Sequence, residues 1–326
     1  MRGIIPNPIN PNVSVAARRL LDYLYSLPAG RILTGQHNFP ATISRYSERA
    51  EAITGHAPAI WGQDFGFAAD GDKDSIHARD AIIAEAIRQH EAGSIITLMW
   101  HSVRPTEDEP GVFEGNVIAE ISKQAYAELV TPGTAVHAHW LAQVDTVAEY
   151  LKRLQGANVP VLWRPYHEMN GNWFWWGKKR GSRFVELWRQ LYQRFTEYHR
   201  LNNLLWVWNT NAPNHKNVAA YKKMFPGHAF VDVLATDIYR NDYQQRFHDD
   251  LLKLAQGKPI ALGEVGQMPT PEIVAQQPNW RWFMTWTDQL ETHNSPERVR
   301  AIYQSSCAVN RDDPVLGWKV YRSATS

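Results

Sequence analysis

The feature that most narrows the fold of this 326-residue chain is a recurrence, in which short apolar, β-branched or aromatic runs alternate with longer segments of helical period. Such alternation implies βαβ units and a parallel sheet. Eight runs read as strands: 31–35, 58–64, 94–101, 159–168, 204–209, 231–239, 258–265 and 281–287. Eight parallel strands with intervening helices close an α/β (β/α)8 TIM barrel, which often exceeds about 250 residues as one unit. No low-complexity linker interrupts the series, so residues 1–326 are expected to form a single catalytic barrel domain.

Helices are expected over Ser75 to Ala92, Val136 to Gln155, Arg183 to Tyr198 and Pro296 to Ser305. Gly93 and Gly156 stand where a left-handed residue would end the first two. The connection after the third strand, Arg104 to Thr134, is much longer than the others. Barrel active sites are built from the loops after the strands, so the segment 104–134 is expected to shape a substrate cleft.

Function should then be read at the C-terminal ends of the strands. The fourth ends Arg164-Pro165-Tyr166-His167-Glu168, the sixth Asp237-Ile238-Tyr239, the seventh Gly263-Glu264, and the eighth Trp286. Charges directly after buried apolar runs are costly unless paired or functional. Glu168 and Glu264 lie 96 residues apart, about three βα units, the separation of strands four and seven. Two converging carboxyl groups can divide labour, one protonated as general acid and one ionised as nucleophile, as in cleavage of glycosidic bonds. Ile260, Leu262 and Glu264 share side-chain parity, so the face that fills the barrel is expected to end in that carboxylate.

Composition supports a neutral ligand. The 34 basic and 33 acidic side chains nearly cancel and no run of one sign occurs, which disfavours nucleic acid and anionic membranes as partners. Cys307 is the one cysteine, excluding an internal disulfide or a cysteine-based zinc site. No apolar stretch nears the roughly 18 residues of a spanning helix, and Met1-Arg2-Gly3-Ile4-Ile5-Pro6-Asn7 has no apolar signal core. Yet the chain holds 14 Trp, 13 Tyr and 11 Phe. Sugar rings stack an apolar face on indole. Trp173, Trp175 and Trp176 follow Glu168 closely, and Trp61, Trp100, Trp208 and Trp286 end or follow strands. Gln36, His37, Asn38, Asn209 and Asn211 could meet sugar hydroxyls. Trp163, Trp188 and Trp206 are expected to be packing, as are about half of the tryptophans.

The run from Leu162 to Gly177, with Arg164-Pro165-Tyr166-His167-Glu168 and Trp173-Phe174-Trp175-Trp176, resembles the acid/base signature of glycoside hydrolase family 26, whose best-known members are endo-β-1,4-mannanases. Thr34-Gly35-Gln36-His37-Asn38, Trp100-His101, Trp208-Asn209, Asp237-Ile238-Tyr239, Gly263-Glu264-Val265-Gly266 and Trp286 extend the resemblance over most of the chain. It implies Glu168 as acid/base and Glu264 as nucleophile of a retaining reaction, with carboxyl groups about 5–5.5 Å apart. It further implies Tyr239 as hydrogen-bond donor to the nucleophile, and His101, Arg164, His167 and Asp237 as polar residues around the sugar being cleaved. Trp173 and Trp286 would flank the cleavage subsite, and Trp100, at a strand end near the two glutamates, is expected to form a sugar subsite with them.

The implied partner is β-mannan or manno-oligosaccharide, met by a secreted monomer. Mixed-linked β-1,3-1,4-glucan and β-1,3-xylan are the alternative substrates. A non-catalytic carbohydrate-binding barrel would be expected to have lost Glu168 or Glu264, and both are present. No organic cofactor is expected. His137-Ala138-His139 falls in a helical segment, where residues two apart diverge, so no catalytic metal is expected there.

Overall fold

The computed structural model describes residues 7–177 and 181–324; the signal-core reading at residues 1–6 lies outside them. Ten strands form one parallel sheet: β1 (Ile32–Leu33), β2 (Gly35–His37), β3 (Ile60–Asp64), β4 (Ile95–Trp100), β5 (Val161–Pro165), β6 (Leu204–Asn211), β7 (Val233–Ile238), β8 (Ile260–Val265), β9 (Trp280–Thr285) and β10 (Ala308–Val309). β2 to β9 pair in sequence, and β9 pairs with both β8 and β2, closing a (β/α)8 TIM barrel. Thr34 splits the first stave, because its amide donates to Val309 O (3.1 Å) and its hydroxyl to Asn310 Oδ1 (2.9 Å) rather than to the barrel ladder.

The expected helices are present with shifted ends. The segment from Ser75 opens with a short turn, Ile76–Ala78, continues as the helix Arg79–Ala92 and stops at Gly93, whose φ is 117°. The next helix spans Ala135–Gly156, so Gly156 is helical and the left-handed residue is Asn158 (φ 57°). Asparagine tolerates that conformation through its short polar side chain. Helix Ser182–Gln193 runs on into a wider turn, Arg194–Tyr198, and Pro296–Tyr303 completes the series.

Strand alternation sorts the side chains between two cores. Facing outward, Ile96, Leu98, Trp100, Trp163, Trp206 and Trp208 pack against helical residues such as Ile82, Leu187, Leu251 and Val299. Facing inward, Leu33, Ile60, Ile95, Leu162, Leu205, Val207, Val233 and Ala261 fill the barrel together with Leu20 and Leu24 of the helix Val15–Ser26. The same inward rows turn polar at their C-terminal ends: Leu162 leads to Arg164, and Leu205 and Val207 lead to Asn209 and Asn211.

β8 breaks that alternation and overturns the parity expected from the sequence. Ile260 and Leu262 belong to the outer core, and Ala261 to the inner one. Leu262 pairs with Thr236 but Glu264 pairs with Asp237, so Gly263 is one residue extra. This bulge turns Glu264 into the barrel mouth, where simple alternation would have sent it outward. A side chain at Gly263 would overlap Asn209 Oδ1 and lie 2.8 Å from Asp237 Oδ1, so the bulge needs glycine.

Candidate active site

Glu168 and Glu264 line one cavity of about 500 Å³ at the C-terminal mouth of the barrel. Glu168 sits in the turn after β5. Both it (φ 51°) and Tyr166 (φ 48°) are left-handed, which costs a non-glycine residue about 1–2 kcal/mol. Packing holds the turn. The Glu168 amide donates to Asn209 O (2.8 Å), the Trp176 indole donates to His167 O (2.8 Å), and the Trp140 indole donates to the Tyr166 hydroxyl (2.8 Å).

The surroundings of the two carboxyl groups differ. Glu264 faces the Arg164 guanidinium at 2.8 Å and the His167 Nε2 at 3.5 Å, while the Tyr239 hydroxyl donates to its other oxygen at 2.6 Å. All of these side chains except Tyr239 are almost fully buried. Glu168 has no cation at hydrogen-bond distance among the described residues; it accepts from Trp173 Nε1 (2.8 Å) and Asn211 Nδ2 (2.7 Å). Burial, and then the charge of Glu264, push the Glu168 carboxyl up to about 7. The two carboxyl groups of one cavity thus have unlike partners, a guanidinium and a phenol at Glu264 and an indole and an amide at Glu168, the asymmetry from which acid/base chemistry can be divided.

The flanking groups are fixed in turn. Burial, then the positive neighbours His101 and Arg164, hold His167 well below the usual imidazole range, which leaves it neutral. His101 is clamped by Asp64, which bonds both its ring Nδ1 and its backbone amide. Burial opposes charge on each, but their mutual attraction raises His101 and lowers Asp64. Asp237 is fully buried beside Asn209 and lines no part of the cavity; burial and the two glutamates keep its carboxyl well above the ordinary range, hence protonated.

Several sequence expectations require correction. Of the 14 tryptophans, only Trp173 and Trp286 are not buried, and both line the cavity. Trp286 stacks on His37 with centroids 4.6 Å apart. Trp100 is fully buried on the outer face of β4, one residue before the inward His101, so it offers no surface to a sugar. Trp61 and Trp208 lie on outer faces likewise, while Trp175 and Trp176 brace the turn, Trp175 by donating to Ser102 O (2.8 Å). Packing therefore takes more than half of the indoles. Gln36, Asn38 and Asn209 are buried and spend their amides inside the protein, Gln36 on His37 O (2.8 Å) and Asn38 on Ser47 Oγ (2.9 Å). Asn211 alone of the five polar residues reaches the cavity.

Sequence reading missed Phe113 and Ile118, which line the cavity from the long segment after β4. That segment is anchored by the Arg79–Glu109 ion pair (2.8 Å) and by Gly111 N donating to Phe67 O (2.6 Å). It also contains the helix Lys123–Leu129. Its prolines and glycines gave no periodic signal from which the anchoring could be read. His137 and His139 diverge as expected, His137 to Leu129 O (2.8 Å) and His139 to Asp108 (3.0 Å). Among the described residues, one trio could offer ligand atoms within 4.8 Å of one another, His167, Glu168 and Asp237 of this same site.

The chain is 32% identical over 323 residues to a mannan endo-1,4-beta-mannosidase of Thermothelomyces thermophilus, covering 95% of this chain and 63% of that protein. It is 28% identical to mannan endo-1,4-beta-mannosidase A of Piromyces sp., covering 94% of this chain and 50% of that one. The chain thus spans between half and two thirds of these relatives' lengths. Among solved structures, GH26A from Muricauda sp. is 48% identical with a TM-score of 0.89, covering 93% of this chain and 98% of that chain. The Podospora anserina GH26-CBM35 β-(1,4)-mannanase is 32% identical with a TM-score of 0.82, covering 97% and 70%. The profile of glycosyl hydrolase family 26 matches residues 9–313, nearly the whole chain, and the chain belongs to that family.

Proposed function

We propose that this chain is a retaining endo-β-1,4-mannanase acting on mannan, galactomannan or glucomannan outside the cell. The observation that carries the reading is the unlike environment of two glutamates in one cavity: Glu264 beside Arg164 and Tyr239, Glu168 raised to about 7 and accepting from Trp173 and Asn211. The names of the relatives supply the substrate class.

In the first step a Glu264 oxygen bonds to the anomeric carbon, the glycosidic C–O bond breaks, and Glu168 passes its proton to the departing oxygen. Arg164 and Tyr239 hold the Glu264 carboxyl in place for attack. Once Glu264 is an ester its charge is gone, and one of the two causes that raise Glu168 goes with it. Glu168, now ionised, then takes a proton from water as the water oxygen attacks the anomeric carbon and releases Glu264. Trp173 and Trp286 offer ring faces to the sugars on either side.

Incubation with linear mannan, galactomannan, barley β-glucan and β-1,3-xylan, followed by product sizing, tests the reading. The expected result is a ladder of manno-oligosaccharides from the first two. Cleavage of the glucan or the xylan alone would overturn the substrate assignment, and a single small product would replace endo by exo action.

A further inference from the structure

The cavity has two unlike walls. On one side Phe113, Ile118, Trp173 and Phe174 present apolar surface. On the other, the loops after β6, β7 and β9 bring His215, Arg240 and His293 to the rim, all exposed. Among the described residues that line the cavity, the carboxyl groups are those of the two glutamates at its floor. Arg240 makes no hydrogen bond or ion pair with any other described residue. Among the described residues, the side chains of His215 and His293 are engaged only at Nδ1, His215 by accepting from the Asn217 amide (3.3 Å) and His293 with the Thr292 hydroxyl (2.9 Å).

The backbone here is held at a cost. Arg240 (φ 58°) and Asn241 (φ 56°) are consecutive left-handed non-glycine residues directly after Tyr239. Asn241 is fixed by a 2.5 Å hydrogen bond from Arg298. Strain of this kind persists where the surroundings impose it, and it clusters at ligand sites. Past His101, Phe113 and Trp286 lies a second cavity of about 600 Å³ rich in acids. Asp70, Asp72 and Asp74 line it together with His101 and with Lys73, which lies over the Phe39 ring at 4.0 Å. The near-zero net charge of the chain therefore conceals a polarised cleft.

We propose that the rim of Arg240, His215 and His293 binds an anionic group, a carboxylate or sulfate ester, carried as a substituent on the β-mannan chain lying over the two glutamates. The inference rests on the proposed mannanase function and narrows its substrate class. The apolar wall stacks the sugar faces, and the substituents project toward Arg240, the permanent cation of the opposite wall, with the two imidazoles as further hydrogen-bonding groups. The aspartates repel the same groups from the second cavity.

The test uses the full chain and three polymers: β-mannan bearing uronate side groups, the same polymer with its carboxyls reduced to neutral alcohols, and sulfated β-mannan. At low salt the uronate polymer is expected to be cut with about fivefold higher kcat/KM than its reduced form, the scale of one exposed ion pair. Salt at 0.5 M should bring the ratio toward one. Arg240→Gln should abolish the ratio whatever it does to the neutral polymer, and Arg240→Lys should retain part of it. Preference for the sulfated polymer alone assigns sulfate as the anion. A ratio of one for both anionic polymers, or a preference that survives Arg240→Gln, overturns the inference while leaving the mannanase reading intact. If none of the polymers is cut, both fall together.

Discussion

Replacing Trp173 with Phe keeps a ring in the cleft and deletes one hydrogen bond, the 2.8 Å donation from the indole to Glu168 Oε2. That bond favours the ionised carboxyl, because a carboxylate is the stronger acceptor. A hydrogen bond to a charged group contributes about 1.5–3 kcal/mol, or roughly one to two pKa units at about 1.36 kcal/mol each. The Asn211 donor at 2.7 Å remains, and water can enter beside the half-buried Trp173, so the lower figure applies. Glu168, already raised to about 7, should rise by about one further unit. The acid must be protonated to cleave, so activity falls as pH rises through its pKa, and the alkaline limb of kcat/KM should move up by about one unit. The assay is a pH series on a soluble manno-oligosaccharide, with the limb read as a property of the coupled glutamates. Asn211→Ala should move it in the same direction. A limb that stays in place, or shifts to lower pH, would refute the role given to these donors.

Other perturbations separate positioning from packing. Tyr239→Phe removes the 2.6 Å hydrogen bond to Glu264 and should lower kcat about 10- to 100-fold with an unchanged melting temperature. Gly171→Ala places a methyl group into the Trp173 ring, and displacement of that ring should lower kcat/KM on the order of tenfold, checked against circular dichroism for an intact fold. Asp64→Asn breaks the buried clamp on His101 and should cost about 3–5 kcal/mol in chemical denaturation at pH 7. Because Asp64 is depressed in the folded protein, its contribution is present above its unfolded pKa of 3.8 and is lost as pH falls through the lower folded value; the gap between variant and wild type should close in strong acid.

Much of this architecture was legible in the alternation of apolar runs with helical segments, since each buried strand needs such a run and each crossover a helix. The residues of the site were legible as polar interruptions at strand ends. Their facing was not always so. Period-two reasoning separates inward His101 from outward Trp100, and inward Asn209 from outward Trp208, once one interior residue of each strand is known. It fails at Glu264, because a one-residue bulge at Gly263 reverses the parity and is set by pairing with β7 rather than by β8 itself. The left-handed turn at Tyr166 and Glu168 is equally tertiary in origin: neither residue favours it, and the Trp140 and Asn209 contacts impose it. The abundance of tryptophan suggested more sugar platforms than exist because indoles serve the outer core as well as they serve a cleft.

Trapping the covalent intermediate tests the assignment of the two glutamates most directly. A 2-fluoro-β-mannobiosyl fluoride couples a good leaving group to a substituent that slows hydrolysis of the glycosyl-enzyme. Incubation followed by peptide mass mapping should find one glycosyl adduct, on Glu264, and none in Glu264→Ala. An adduct on Glu168, or wild-type enzyme that cleaves β-mannan yet forms none, would contradict the mechanism.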